Sequence, residues 1–169
     1  YLLDTYKEND LTYDSFNKGK LESQLAYDGN YKAYFEFIAD SLKRYSSQRD
    51  KQKGEAFVHG FTLAMTSQNQ FYRPISELDN DGGYADIFLS PLCDIYKDMV
   101  DSYIIELKYC KTNTADEQLQ VLFKEASAQI CRYANSDIVK ESVKTTKLHK
   151  LVVIYRGAEM VMCEEVTEE

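Results

Sequence analysis

A chain of 169 residues, 44% hydrophobic and 28% charged, can bury one proper core and carry a helical appendage, in the ordinary make-up of a soluble α/β protein. Its formal net charge of −8 excludes a generally basic surface, so any contact with nucleic acid would need a local basic patch or a metal. No apolar run approaches the about 20 residues of a membrane span.

Cys93, Cys110, Cys131 and Cys163 form no CxxC pair and have no metal-ligand spacing with the two histidines, which predicts free thiols and a cytoplasmic setting. The chain opens on Tyr1 without a signal peptide, as expected of a fragment cut from something longer.

Residues 1–29 are polar, with weak periodicity around "DLTYDSFNKGKLESQLAYDG" that suits a short helix. Over 30–47, Tyr31, Tyr34, Phe35, Ile38, Leu42 and Tyr45 recur at helical spacing and predict an amphipathic helix. A polar break, "SSQRDKQKG", precedes a second helix over about 55–68, with Phe57, Phe61, Ala64 and Met65 as its stripe.

The period then changes. "FYRPISEL" (71–78) reads as a strand in which Pro74 favours an edge or an end, "DNDGG" as a turn, and "YADIFLSP" (84–91) as the returning strand of a hairpin. After a polar loop, "YIIELKYC" (103–110) reads as a strand. "ADEQLQVLFKEASAQICRYAN" (115–135) is a helix with Leu119, Leu122, Phe123, Ala126, Ile130 and Tyr133 on one face. "KLVVIYRG" (150–157) and "EMVMCEEV" (159–166) close the chain as strands.

The expected order is α-α-β-β-β-α-β-β. The strand–helix–strand passage over 103–155 implies a right-handed parallel crossover in a mixed sheet flanked by helices.

The chemistry lies on two neighbouring strands. Alternation puts Glu106 and Lys108 on one face of 103–110, opposite Tyr103, Ile105, Leu107 and Tyr109. Asp86 shares its face with Tyr84 and Phe88. Ionised groups on strands that otherwise look buried require a partner or a metal. If Asp86 lies opposite Glu106, the two carboxylates converge with Lys108 one pleat away. That set can hold Mg²⁺ or Mn²⁺, activate a water and stabilise charge on phosphorus, which is phosphodiester hydrolysis. The plainer alternative is a same-face ion pair on an exposed edge.

Asp86, then Glu106-Leu107-Lys108, then a helix and a hydrophobic strand, resembles the PD-(D/E)XK nuclease superfamily. The resemblance is closest to the nuclease-like domain at the C-terminus of bacterial proteins that begin with an AAA-type ATPase domain. "ISELDNDGGYADIFLSP", "YIIELKYCK", "EASAQICRYA" and "LHKLVVIYRGAEMVMCEEV" carry it over roughly 50–169.

The resemblance implies a restriction-endonuclease-like α/β fold at 50–169, preceded at 1–49 by a helical segment joining it to an ATPase domain. It makes Asp86 and Glu106 metal ligands and Lys108 the catalytic lysine. Gln129 and Tyr133 match a Q-x-x-x-Y pattern on the substrate side. A Gln on an apolar stripe needs partners, which the site or helix-end backbone could equally supply.

Glu55 or Glu77 is the candidate third acid, although Glu55 lies off the Phe57/Phe61 stripe, nearer Val58, His59 and Thr62. His59 reads as a packed or surface histidine. Ala85 stands where the family's Pro usually precedes the Asp. Lysines at 140–150 with Arg132 form either a local basic patch or a solvated loop.

The implied activity is Mg²⁺- or Mn²⁺-dependent hydrolysis of nucleic acid, with DNA the expected substrate. The alternative is an inactive domain of the same fold serving as an interaction or regulatory module for an ATPase. A small-molecule enzyme finds no support, for the chain has no Gly-rich phosphate loop, nucleophile elbow or His-based triad.

Overall fold

A computed structural model describes residues 15–45, 54–80 and 83–167, with side chains for 17–44, 54–76 and 86–167. The elements run α1 (Ser15–Tyr27), α2 (Tyr31–Tyr45), α3 (Glu55–Thr66), β1 (Tyr72–Asn80), β2 (Gly83–Pro91), β3 (Asp101–Cys110), α4 (Asp116–Ala134), α5 (Asp137–Val143), β4 (Lys147–Arg156) and β5 (Glu159–Glu165). The five strands form one mixed sheet in the order β1-β2-β3-β4-β5. Only β3 and β4 run parallel, joined across α4 and α5. This is the expected mixed sheet between helices, in the expected order, with α1 and α5 as further short helices.

The alternation of β3 sorts the core into two sides. Tyr103, Ile105 and Leu107 join Ile87, Leu89, Leu151, Val153 and Tyr155 in the larger cluster, covered by Leu25, Tyr34, Phe35, Ile38 and Leu42 of α1 and α2 and by Val58 of α3. Helices α1 and α2 thus share one core with the sheet. On the other side Phe88, Ile104, Val152 and Ile154 pack under Leu119, Ala126, Ile130 and Tyr133 of α4 and Val139 of α5. Burying apolar area on both faces is what a central parallel pair requires.

Two local details depart from the periodicity. The deeply buried positions of α3 are Val58, Thr62 and Thr66, while Phe57, Phe61 and Met65 are only partly covered. Both threonines can go inside because their hydroxyls donate to helix carbonyls, Thr62 to Val58 at 2.8 Å and Thr66 to Leu63 at 3.0 Å. The lysine-rich stretch is no loop at its start: α5 is capped by Ser136 Oγ, which accepts from the Val139 N–H. Beyond it Lys144 pairs with Asp94 at 2.5 Å and Lys147 approaches Glu165 at 3.9 Å.

Candidate active site

The β2–β3 ladder holds three pairs, Ile87–Ile105, Phe88–Ile104 and Leu89–Tyr103, and then stops. One more step in this register would set Asp86 against Glu106. Like charges directly opposite on one face repel, and the strands cease pairing at that step. Asp86 Oδ2 instead accepts the backbone N–H of Leu107 at 2.7 Å. Glu106 Oε1 accepts from Lys108 Nζ at 2.9 Å, and Glu106 Oε2 is buried with no hydrogen bond of normal geometry.

Helix α3 crosses this opening with its N-terminal end. A cleft of about 480 Å³ lies between them, lined by Glu55, Ala56, Val58 and His59 of α3, Asp86 of β2, and Leu107, Lys108 and Tyr109 of β3. Glu55 reaches the cleft because the inward face of α3 is the Val58–Thr62 side, not the phenylalanine stripe. The helix starts at Gly54, whose φ of +60° favours glycine, and an added Cβ there would lie 3.3 Å from the Tyr109 ring.

Burial and the Asp86 charge push the Glu106 carboxyl up to about 7, against the opposing pull of Lys108 and of the Asp86 backbone N–H. The Asp86 carboxyl is also raised, by burial first, although the Leu107 amide, Lys108 and His59 favour its charged form. For Lys108, burial favours the neutral amine. The hydrogen bond to Glu106 and the charges of Glu106, Asp86 and Glu55 outweigh it and raise the ammonium above its usual range. The three groups thus form one coupled electrostatic unit.

The structure brings Asp86, Lys108 and Glu55 to one cleft, with Glu106 buried beside them. Tyr133 packs instead with Phe88, Ile104, Ile130 and Val139 on the α4 side, and neither it nor Gln129 lines the cleft. The Glu77 side chain falls outside the described side chains. Sequence reading underrated two cleft residues. His59 stands four positions after Glu55 on α3, a spacing that puts both on one helix face and was the available signal. Tyr109 alternates with core residues and carries no signal of its own.

Among the described residues, no group of three His, Cys, Asp or Glu side chains converges as a ready-made metal cage, and no helix is long and apolar enough to cross a membrane. No curated protein and no solved structure matches the chain significantly. The sequence profile of the PD-(D/E)XK nuclease superfamily matches residues 53–165, about two thirds of the chain, and that stretch holds the cleft and all five strands. The chain belongs to the PD-(D/E)XK nuclease superfamily.

Proposed function

We propose that this chain is a divalent-metal-dependent nuclease that hydrolyses phosphodiester bonds of nucleic acid, with DNA as substrate. The observation that carries the proposal is the Asp86–Glu106–Lys108 unit at the point where β2 and β3 diverge. Glu106 Oε2 is a buried carboxylate oxygen with no hydrogen bond of normal geometry, and Asp86 supplies a second carboxyl beside it. Oxygen donors of this kind suit Mg²⁺ or Mn²⁺, and Mg²⁺ commonly takes only one or two protein carboxylates. The residues therefore fit the group, with Asp86 and Glu106 holding it and Glu55 as the nearest further acid.

A divalent cation bound there would supply Lewis-acid activation of a water and of the phosphoryl group. The protein does the rest. Lys108 hydrogen-bonds Glu106 and lines the cleft, where its ammonium can orient the attacking water and stabilise charge developing on phosphorus. The Leu107 N–H fixes the Asp86 carboxylate in place. The four unpaired thiols suit a reducing, cytoplasmic setting.

A second reading, an interaction module docking an AAA-type ATPase domain, is favoured by the net charge of −8 and by the commitment of Lys108 to Glu106. Calorimetric titration of Mn²⁺ into the chain and into Asp86→Ala, followed by a DNA cleavage assay on both and on Lys108→Met, separates the two. A nuclease takes up Mn²⁺ and cuts, with uptake lost in Asp86→Ala and cutting lowered roughly 10²–10³-fold in Lys108→Met. Neither uptake nor cutting by the unaltered chain would leave the docking module standing.

A further inference from the structure

Asp86 is held at two points. Its carboxylate accepts from Leu107, and its main-chain carbonyl lies 3.3 Å from His59 Nε2. Ladder pairing between β2 and β3 ends at Ile87, so the Leu107 contact takes over where regular pairing has given out. A carbonyl oxygen can only accept, which places the proton on Nε2 and makes the imidazole the donor. Ser76 Oγ of β1 lies 3.5 Å from the same nitrogen, so one half-buried side chain of α3 spans β1 and β2 beside the opening. At 3.3 Å the bond is long and contributes little energy by itself. Its importance is where it sits.

We infer that His59 is a positioning residue for Asp86: β1 stays paired with β2 as far as Gly83, and by holding the carbonyl His59 fixes the Asp86 main chain on the β3-facing edge, where the β2–β3 ladder has ended, and with it the reach of the Asp86 carboxylate. This rests on the reading of Asp86 as a metal ligand. Groups that orient a ligand without touching the metal commonly change metal affinity by roughly 10- to 100-fold when removed. His59 is suited to that task because it is anchored on α3, which packs Val58 into the core one residue earlier. A histidine present only to fill space has no need to aim a ring N–H at the carbonyl of the residue that leaves the ladder.

The test reads the Leu107 amide, which reports where the Asp86 carboxylate sits. In the metal-free, ¹⁵N-labelled chain, His59→Ala should move that amide upfield and speed its hydrogen exchange several-fold. His59→Gln, whose side-chain amide can donate to the same carbonyl, should restore both. Mn²⁺ affinity measured by calorimetry should fall about tenfold in His59→Ala and recover in His59→Gln.

An unmoved Leu107 amide in His59→Ala overturns the inference even if Mn²⁺ affinity drops, because His59 would then act on the metal itself. Failure of His59→Gln to restore the amide also overturns it, leaving packing as the role. Should the alanine variant unfold, His59→Leu, which fills the space without a donor, replaces it in the comparison with His59→Gln. Absence of Mn²⁺ uptake by the unaltered chain overturns the metal-site reading instead, while the Leu107 amide still decides the tether.

Discussion

Glu106 is 3% exposed, and one of its oxygens has no hydrogen bond of normal geometry. Charge at such a carboxyl is costly, and the group meets the cost by keeping its proton up to about pH 7. An unfolded glutamate releases its proton near 4.5. Between those values the native state holds a proton that the unfolded state has lost, so this group's contribution to stability is fully present below about pH 4.5 and is lost as pH rises through about 7. The difference corresponds to roughly 3 kcal/mol for this one group. Urea unfolding of the metal-free chain should therefore show lower stability at pH 8 than at pH 5. In Glu106→Gln, which has no proton to lose, most of that slope should vanish. A slope unchanged in the variant would place the titration elsewhere. A bound cation competes with the same proton, so metal uptake should strengthen over the same interval. All three residues of the unit were legible in the sequence, because a period of two assigns strand faces without any knowledge of neighbours.

Helix α3 presents Glu55 and His59 to the cleft, and its start depends on Gly54 lying against the Tyr109 ring. Gly54→Ala adds a Cβ at 3.3 Å from that ring and asks alanine to adopt a φ of +60°. We expect a loss of about 1–2 kcal/mol in urea unfolding, with weaker Mn²⁺ uptake if Glu55 moves with the helix.

A second junction lies at the first residues of β3 and β4 and the last of β5. There His149 Nε2 faces Asp101 Oδ1 at 2.7 Å, Nδ1 faces Glu165 Oε1 at 2.9 Å, and the ring stacks on Tyr103 with centroids 4.9 Å apart. Tyr72 and Tyr103 hydroxyls donate to the Leu25 carbonyl near the end of α1, and Tyr72 also reaches the Asp101 carbonyl. His149→Ala would strand a buried Asp101 carboxyl, and a destabilisation of about 3 kcal/mol is expected by calorimetric or urea unfolding. Periodicity misassigned the buried face of α3 because threonine counts as polar in a pattern, whereas a hydroxyl bonded within its own helix can be buried. It passed over α5 because seven residues are too few to show a period.

At the scale of the molecule, the charge is −8, and among the described residues lining the cleft Lys108 is the one lysine or arginine, so phosphate neutralisation by those residues can contribute little. Binding that rests on phosphate neutralisation weakens with salt in proportion to the cations engaged. With one or two engaged, Mn²⁺-dependent DNA binding should fall only about three- to tenfold between roughly 50 and 200 mM salt. Fluorescence anisotropy across that range measures it, and a steep dependence would point to a basic surface away from the cleft. After α5, Lys144 is paired with Asp94 at 2.5 Å and Lys147 lies 3.9 Å from Glu165 with its side chain exposed.

Local pattern was enough to read the strands, the two long amphipathic helices, the mixed sheet and the strand face shared by Glu106 and Lys108. Each follows from local alternation or helical spacing, which the chain carries in its own order. Long-range packing was needed to show that β2 and β3 diverge just beyond the Ile87–Ile105 pair, that α3 turns its Val58–Thr62 side inward, and that Tyr133 of α4 packs against Phe88 and Ile104 of the sheet. These depend on repulsion, packing and hydrogen bonds between residues far apart in the chain. A spacing rule has no term for them, and they bring Glu55 and His59 beside Asp86 in one cleft.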